Sequence, residues 1–221
     1  MPKMYIDLEE TRLIRLISEW LDFECSRVPF TVEQTEAERP VTIGGLGMNL
    51  RLDRVDRLHD GSQLVIDYKT GNVDPKSWDL PRPDDVQLPL YRLFGLEPLQ
   101  PSLFDTFGGP ASGGLVFAKV RTGDTCFAGR VANAEETISL DLSPNSNLVR
   151  RKLTAEEELA WKGKIEDLVD DFLRGRAEVD PRDYPKTCER CGLQSICRIQ
   201  VPENRARFEE EETEAVHAGE E

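Results

Sequence analysis

Residues 50–71 read LRLDRVDRLHDGSQLVIDYKTG, and their order of apolar and polar residues gives the clearest secondary-structure signal in the chain. Apolar residues recur along 50–58 and indicate one strand. The unbroken apolar run at 64–66 indicates a second strand that is buried on both faces. Between the two runs, Asp60-Gly61 is typical of a tight hairpin turn. The stretch therefore predicts two antiparallel strands joined by a short turn.

The same hairpin carries the residues with the clearest chemistry. Asp67 and Lys69 are two positions apart, so they project from the same face of the second strand, and the hairpin can bring Asp53 alongside them. A charge at Asp67, directly after three apolar residues, costs free energy unless it is paired or bound to a metal. Two carboxylates and one ammonium predict a Mg²⁺ or Mn²⁺ site, with the Tyr68 carbonyl as a further ligand. The alternative is a plain ion pair between Asp67 and Lys69 on the surface.

The rest of the chain alternates between helical and strand-like patterns. The predicted helices are 7–22, 86–94 (capped by Asp84 or Asp85) and 154–174 (capped by Thr154). The further predicted strands run from Phe30 to Gln34, through the run 41–58, over 114–120 and over 126–131, with loops at 73–83 and 95–113. The sum predicts an α/β or α+β fold, a small and mainly antiparallel sheet with a helix on each side.

Two features bear on the core. The first helix carries an apolar stripe that should face the sheet: Leu13, Ile14, Leu16, Ile17, Trp20 and Leu21. Trp78 lies in a loop, where it either packs in the core or stacks on a nucleic-acid base.

Composition narrows the function classes. The 221 residues carry a net charge of −14, which argues against binding nucleic acid by bulk charge but leaves room for a local basic groove. Arginines and lysines that could line such a groove are Arg51, Arg54, Arg57, Lys76, Arg82 and Arg92; Arg54 and Arg57 could equally pair with Asp56 and Asp60. With neither a signal peptide nor an apolar run of membrane-spanning length, we expect a soluble cytoplasmic protein with no membrane contact.

Three of the five cysteines stand close together, as Cys188-x2-Cys191-x5-Cys197. An odd number of cysteines disfavours a disulfide framework, and this spacing is typical of ligands to zinc or to an iron–sulfur cluster. Cys25 is a candidate fourth ligand, and the alternative for it is a thiol at the end of the first helix. Cys126 falls in a strand pattern and is read as core.

The runs LDRVDRL, VIDYKTG and QLPLY together resemble the PD-(D/E)XK nuclease superfamily. The likeness is strongest to its RecB-like branch, which includes the RecB and AddB helicase–nucleases and the CRISPR-associated exonucleases. The resemblance implies a restriction-endonuclease-like core in which Asp53 and Asp67 bind metal and Lys69 is catalytic. It also implies that Gln87 and Tyr91, four apart on one helix face, help to hold DNA.

The cysteine run resembles the C-terminal end of the same nucleases. The likeness implies a structural iron–sulfur cluster, of the 4Fe–4S type, held by Cys188, Cys191 and Cys197 with Cys25 as the uncertain fourth ligand. Zinc is the main rival. We therefore expect a nuclease-like domain over 1–180, a Cys-rich extension over 181–202 and an acidic disordered tail over 203–221.

One departure from the family concerns the helix before the first strand. The family usually places a metal-binding histidine or glutamate there, and no histidine precedes Asp53 in this chain. Glu19, Glu33 or Glu36 could replace it, or the helix lies in an upstream region of a larger protein.

We expect a Mg²⁺-dependent deoxyribonuclease of exonuclease type that acts on DNA ends in double-strand break repair or recombination, with a helicase-like region or subunit as partner. The first alternative is an inactive nuclease-fold module that binds DNA ends or a partner. The second is a zinc-stabilised interaction domain.

Overall fold

The computed structural model describes residues 3–96, 112–138, 152–189, 191–199 and 201. The chain divides into two compact units, Met1–Asp170 and Asp171–Glu221. Among the helices of the described residues, none has the length and apolar character needed to cross a membrane. The predicted acidic tail and most of the predicted loop at 95–113 lie outside the described residues.

The larger unit is built on a five-stranded sheet in the order β1-β2-β3-β4-β5. The strands are β1 (Phe30–Ile43), β2 (Leu46–Leu58), β3 (Gln63–Lys69), β4 (Ser112–Lys119) and β5 (Cys126–Val131). The helices are α1 (Lys3–Cys25), α2 (Gln87–Leu90), α3 (Ala134–Thr137) and α4 (Ala155–Leu173). Only β3 and β4 pair in parallel, and the other neighbours are antiparallel. This confirms the predicted α/β class, with a mixed sheet flanked by helices.

Two tight turns set the register of the first three strands. The turn between β2 and β3 is the predicted one: Gly61 has φ of 82°, and Asp60 Oδ1 accepts a hydrogen bond of 2.9 Å from the Ser62 amide. The second turn lies within the run 41–58, where Gly44 and Gly45 separate β1 from β2, the strand that contains Leu50, Leu52 and Val55. Both glycines have positive φ, 55° and 92°, which is the requirement of a two-residue hairpin turn.

Each face of the sheet is covered by its own layer, because side chains alternate along the strands. One face packs against α1 and α3 through Trp20, Leu58, Leu64, Ile66, Val116, Ala118, Phe127, Val131, Ala134 and Ile138. The other packs against α2 and α4 through Leu50, Leu52, Val55, Val65, Trp78, Leu88, Tyr91, Leu115, Phe117, Leu153 and Trp161. Asp67 and Lys69 lie two and four positions after Val65, so their side chains project from the same face of the sheet as Val65, the face that α2 covers. They lie near the end of β3.

The first helix contacts the sheet along a narrower line than its sequence predicts. Only Leu16 and Trp20 are buried, whereas Leu13, Ile14, Ile17 and Leu21 are at least 40% exposed. The helix is also longer than the predicted 7–22. Trp20 reaches furthest, stacking edge-on with Phe127 at 5.6 Å between ring centroids.

Trp78 belongs to the core. It is fully buried in a 3₁₀ turn (Pro75–Trp78), its ring lies 5.0 Å from that of Phe117, and its carbonyl accepts a 2.8 Å hydrogen bond from Trp161 Nε1. Stacking of Trp78 on a base is therefore excluded. Trp161 belongs to α4, whose first turn is capped as predicted, since Thr154 Oγ1 accepts a 3.2 Å bond from the Glu157 amide.

The smaller unit contains two short helical turns around the cysteine run. They are a 3₁₀ turn (Lys186–Cys188) and α5 (Gln194–Cys197). Between them the chain turns back on itself, and the Cys191 amide donates a 3.1 Å hydrogen bond to the Cys188 carbonyl.

Candidate active site

Asp53, in the middle of β2, lies close to Asp67, near the end of β3. Backbone pairing of the two strands runs from Arg57 opposite Gln63 to Arg54 opposite Ile66. One residue beyond the last backbone pair, a side chain replaces the backbone as acceptor: Asp53 Oδ2 accepts a 2.9 Å hydrogen bond from the Tyr68 amide. Asp53 is thereby tied to the backbone directly after Asp67.

Lys69 stands between Asp67 and α2. Its ammonium nitrogen lies 2.7 Å from Asp67 Oδ2 and donates a 3.1 Å hydrogen bond to Gln87 Oε1. Gln87 in turn donates from Nε2 to the Tyr91 hydroxyl at 2.9 Å. Tyr91 is only 8% exposed and packs in the core under α2. Hydrogen bonds thus connect Tyr91 to Gln87 and Gln87 to the Lys69 ammonium.

Asp85 is a third carboxylate of this site that sequence reasoning treated only as a helix cap. It does cap α2, because its Oδ1 accepts a 2.8 Å bond from the Gln87 amide. Its charge also acts on the two central groups, raising the pKa of both Asp67 and Lys69. The signal for it was its position two residues before Gln87, which places it at the start of the same helix.

Burial and neighbouring charges oppose each other at Asp67 and Lys69. Burial has the largest effect and raises the pKa of Asp67, the contact with Lys69 lowers it, and the charges of Asp53 and Asp85 add to the rise, so the net pKa lies above its ordinary value. For Lys69, burial lowers the pKa, but the three aspartates outweigh burial and leave the net pKa raised. Lys69 is therefore a stable ammonium at neutral pH.

The donor set at Asp53 and Asp67 fits a hard divalent cation. Asp67 Oδ2 is buried, and the cation beside it is the Lys69 ammonium, 2.7 Å away. Asp53, Asp67 and Asp85 together carry more negative charge than one ammonium balances, and a divalent cation bound to carboxylate oxygens would balance it. Within the described ranges, no three His, Cys, Asp or Glu side chains are arranged to hold a metal by themselves. Mg²⁺ needs only one or two carboxylates and completes its shell with carbonyl oxygens and water.

A buried ionic network lies on the opposite face of β2 and β3. Asp56 is fully buried and accepts hydrogen bonds from Arg54 Nε at 2.6 Å and from Arg27 Nη1 at 3.0 Å. Glu24, from the end of α1, accepts a 3.0 Å bond from Arg54 Nη2. Arg54 Nη1 also donates to the Tyr68 hydroxyl at 2.9 Å. The network therefore fastens α1 to the strand residue that lies between Asp67 and Lys69.

The three glutamates that could replace the family's histidine are all engaged elsewhere. Glu19 accepts a 3.0 Å hydrogen bond from the Gly123 amide and a second from Arg15. Glu33 accepts from Gln63 Nε2 at 2.7 Å and pairs with Arg57. Glu36 pairs with Arg51 at 2.7 Å.

Most of the predicted phosphate-binding arginines are also bound to carboxylates. Arg54 is buried in the network with Asp56, and Arg92 pairs with Glu158 at 2.7 Å. Arg51 and Arg57 pair with the glutamates just named. The predicted groove over Arg51, Arg54, Arg57 and Arg92 is therefore not a free cationic track.

The cysteines of the smaller unit lie close enough to influence one another. Burial raises the pKa of Cys188, and the nearby Cys191 and Cys197 raise it further. The Leu193 amide points at Cys191 Sγ, 3.5 Å away. Three neighbouring thiols are a soft donor set that suits iron or zinc. Cys25 is exposed and Cys126 is half-buried.

Comparison with known proteins places the chain in a family. Among solved structures, the chain matches the crystal structure of SSO0001 with a TM-score of 0.38 and 16% identity, over 86% of this chain and 70% of that one. No curated protein matches the chain. The family model of the PD-(D/E)XK nuclease superfamily matches residues 4–198. Since that match spans most of the sequence, the chain belongs to the PD-(D/E)XK nuclease superfamily.

Proposed function

We propose that this protein is a metal-dependent DNA nuclease whose active site is the group Asp53, Asp67 and Lys69. The observation that carries the proposal is the convergence of two carboxylates and one ammonium where the end of β3 lies beside the middle of β2. The charge of Asp85 acts on the same groups, so three carboxylates share the one ammonium of Lys69. A divalent cation would balance this excess of negative charge around the buried Asp67 oxygen.

Asp53 and Asp67 are the residues that would hold Mg²⁺ or Mn²⁺, with the Tyr68 carbonyl as a third ligand. A bound divalent ion would supply Lewis-acid stabilisation of charge on the phosphate and lower the pKa of a bound water. The Asp53 carboxylate is already oriented by its bond to the Tyr68 amide. This orientation reduces the reorganisation needed when the substrate binds.

Lys69 would act on the phosphate as a fixed positive charge. Its raised pKa keeps it protonated, so it can donate a hydrogen bond to a phosphate oxygen or to the attacking water. Gln87 holds the ammonium from one side, and Tyr91 holds Gln87. We assign Gln87 to the substrate side of the site as well, because α2 begins beside Lys69, and the buried Tyr91 supports DNA binding through its contact with Gln87.

We infer the type of cleavage and the biological process from the resemblance of LDRVDRL, VIDYKTG and QLPLY to the RecB and AddB nucleases. We propose exonuclease-type cleavage of DNA ends during double-strand break repair or recombination. With a net charge of −14, the chain has little long-range attraction for DNA. A helicase-like region or subunit that delivers the strand would remove that difficulty.

The test is cleavage of linear single-stranded and double-stranded DNA, with circular DNA as the control for exonuclease action. We expect cleavage of linear DNA with Mg²⁺ or Mn²⁺, no cleavage in EDTA, and loss of cleavage in Asp67→Asn. The same variant should lose the rise in melting temperature that Mn²⁺ gives the parent protein, because it lacks the charged ligand.

One observation favours an inactive module as the second candidate function. Glu19, Glu33 and Glu36 are bound to other groups, so none of them completes the metal site. If the parent protein binds DNA ends but shows neither cleavage nor stabilisation by Mn²⁺, this second function replaces the first.

We further propose that Cys188, Cys191 and Cys197 hold an iron–sulfur cluster of 4Fe–4S type with a structural role. The support is the C-x2-C-x5-C spacing of the three thiols. Protein purified without oxygen should be brown and contain iron and sulfide, and Cys191→Ala should lose both. Colourless protein that contains zinc would overturn the cluster and favour a zinc-stabilised extension.

A further inference from the structure

Lys119 on β4 lies beside Lys69 on β3. The two strands are parallel and in register, with Asp67 opposite Phe117 and Lys69 opposite Lys119. Residues opposite each other in neighbouring strands project from the same face, about 4.8 Å apart at the backbone. The Val120 amide donates a 2.9 Å bond to the Lys69 carbonyl, so the pairing continues past both lysines. The two lysine side chains therefore project from the same face of the sheet, at the C-terminal ends of β3 and β4.

The side chain of Lys69 leans toward β4. Its ammonium lies 5.9 Å from the centre of the Phe117 ring, two residues before Lys119. Like charges on adjacent strand positions repel each other unless an anion lies close to them. Asp67 is the anion that pairs with Lys69, and Asp124 is the anion that pairs with Lys119.

Asp124 is a replaceable partner for Lys119. It lies in the exposed hairpin between β4 and β5, and its side chain is 48% exposed, whereas that of Lys119 is 15% exposed. Its contact with Lys119 is the main cause of its lowered pKa, and Arg121 contributes to the shift. An ion pair with an exposed carboxylate adds little stability, so a phosphate of a bound DNA strand can displace the carboxylate.

We propose that Lys119 binds a backbone phosphate of the DNA strand, next to the phosphate that lies at Lys69. In the absence of DNA, Asp124 forms an ion pair with Lys119, and the phosphate displaces it. The proposal rests on the proposed nuclease function and adds a substrate-binding residue to it. A backbone phosphate has two non-bridging oxygens that share one negative charge and can accept from an ammonium, and a carboxylate paired with the same ammonium competes with it. Lys119 thus contributes to binding of the strand, whereas Lys69 acts at the cleaved bond.

The experiment measures kcat and KM for a single-stranded oligonucleotide with Mn²⁺, over a series of salt concentrations. Lys119→Gln should raise KM about ten-fold with kcat changed by less than about two-fold. It should also reduce the salt dependence of kcat/KM by about 0.7 in log–log slope, the loss of one phosphate contact. Lys119→Arg keeps the charge and should remain close to the parent protein.

Asp124→Asn gives a test of the opposite sign. It should lower KM, because Lys119 is released, and it should have no effect in a Lys119→Gln background, where nothing is left to release. Lys3→Gln and Asp22→Asn are matched controls of charge, since both residues are exposed on α1, which packs on the other face of the sheet.

Each outcome separates this inference from the function on which it rests. If the parent protein cleaves DNA and Lys119→Gln has the KM and salt slope of the parent, the phosphate contact is overturned and the nuclease stands. If Asp124→Asn lowers KM equally in both backgrounds, the competition is overturned, because the effect is then only one of net charge. If the parent protein does not cleave DNA, both proposals fail. Thermal melts verify that each variant is folded, and the Asp124 variants test the idea even if Lys119→Gln is unstable.

Discussion

Lys69→Ala is expected to lower kcat for DNA cleavage by about 10²–10⁴-fold, while KM changes little. The reason is the position of the ammonium, 2.7 Å from a buried carboxylate oxygen and 3.1 Å from the Gln87 side chain. A charge held at this point acts mainly on the phosphate as it gains negative charge in the transition state. An interaction of that kind changes kcat rather than binding.

The control is Lys162→Ala, which removes an exposed lysine of α4 and should leave kcat unchanged. Because Lys69→Ala leaves Asp67 without its cationic neighbour, the variant must be compared with the parent protein by circular dichroism and thermal melting. Lys69→Gln, which keeps most of the side-chain volume, should be as inactive as the alanine variant. A folded Lys69→Ala that cleaves as fast as the parent would remove the basis of the proposed function.

Asp56→Ala should lower the free energy of unfolding by about 3–5 kcal/mol. The carboxylate of Asp56 is fully buried and accepts hydrogen bonds from both Arg54 and Arg27. Without it, two guanidinium groups remain buried with too little negative charge beside them. Burial lowers the pKa of Arg54, but the charge and hydrogen bond of Asp56 raise it by more, and the net pKa is raised. Arg54 therefore stays charged and cannot relieve its burial by losing a proton.

Urea denaturation measures this effect, with Glu36→Ala as the matched control. Glu36 pairs with Arg51 on the same β1–β2 hairpin, but both side chains are at least 60% exposed, so its loss should cost about 1 kcal/mol or less. An equal, small effect for the two variants would contradict the network's stabilising role. Since Arg54 also holds the Tyr68 hydroxyl, Asp56→Ala should reduce nuclease activity even under conditions where it is folded.

The two arginines of the LDRVDRL run illustrate what sequence reasoning missed. Arg54 and Arg57 read equally well as phosphate ligands or as partners of nearby acids. The structure buries Arg54 with Asp56 and pairs Arg57 with Glu33 of the neighbouring strand β1. Strand periodicity assigns a residue to a face, but whether that face meets solvent or a helix depends on where α1 docks.

The glycine pair at 44–45 is a local turn signal within the run 41–58. Leu50, Leu52 and Val55 indicate a strand in this run but not where it begins. Two successive glycines are, however, typical of a hairpin turn, because each can adopt positive φ without steric cost. The turn was thus predictable from the residues themselves, unlike the partners of Arg54.

The order of local residues was enough to establish the β2–β3 hairpin, the two-residue spacing that puts Asp67 and Lys69 on one face, and the Thr154 cap of α4. These features depend only on backbone geometry over a few positions, which nearby side chains control. The neighbours that complete the site depended on tertiary structure: Gln87 against Lys69, Asp85 near both central groups, and Lys119 one strand away. They come from segments 16 to 50 residues further along the chain, and they meet only because β4 pairs in parallel with β3 after a long connection and α2 docks beneath the sheet.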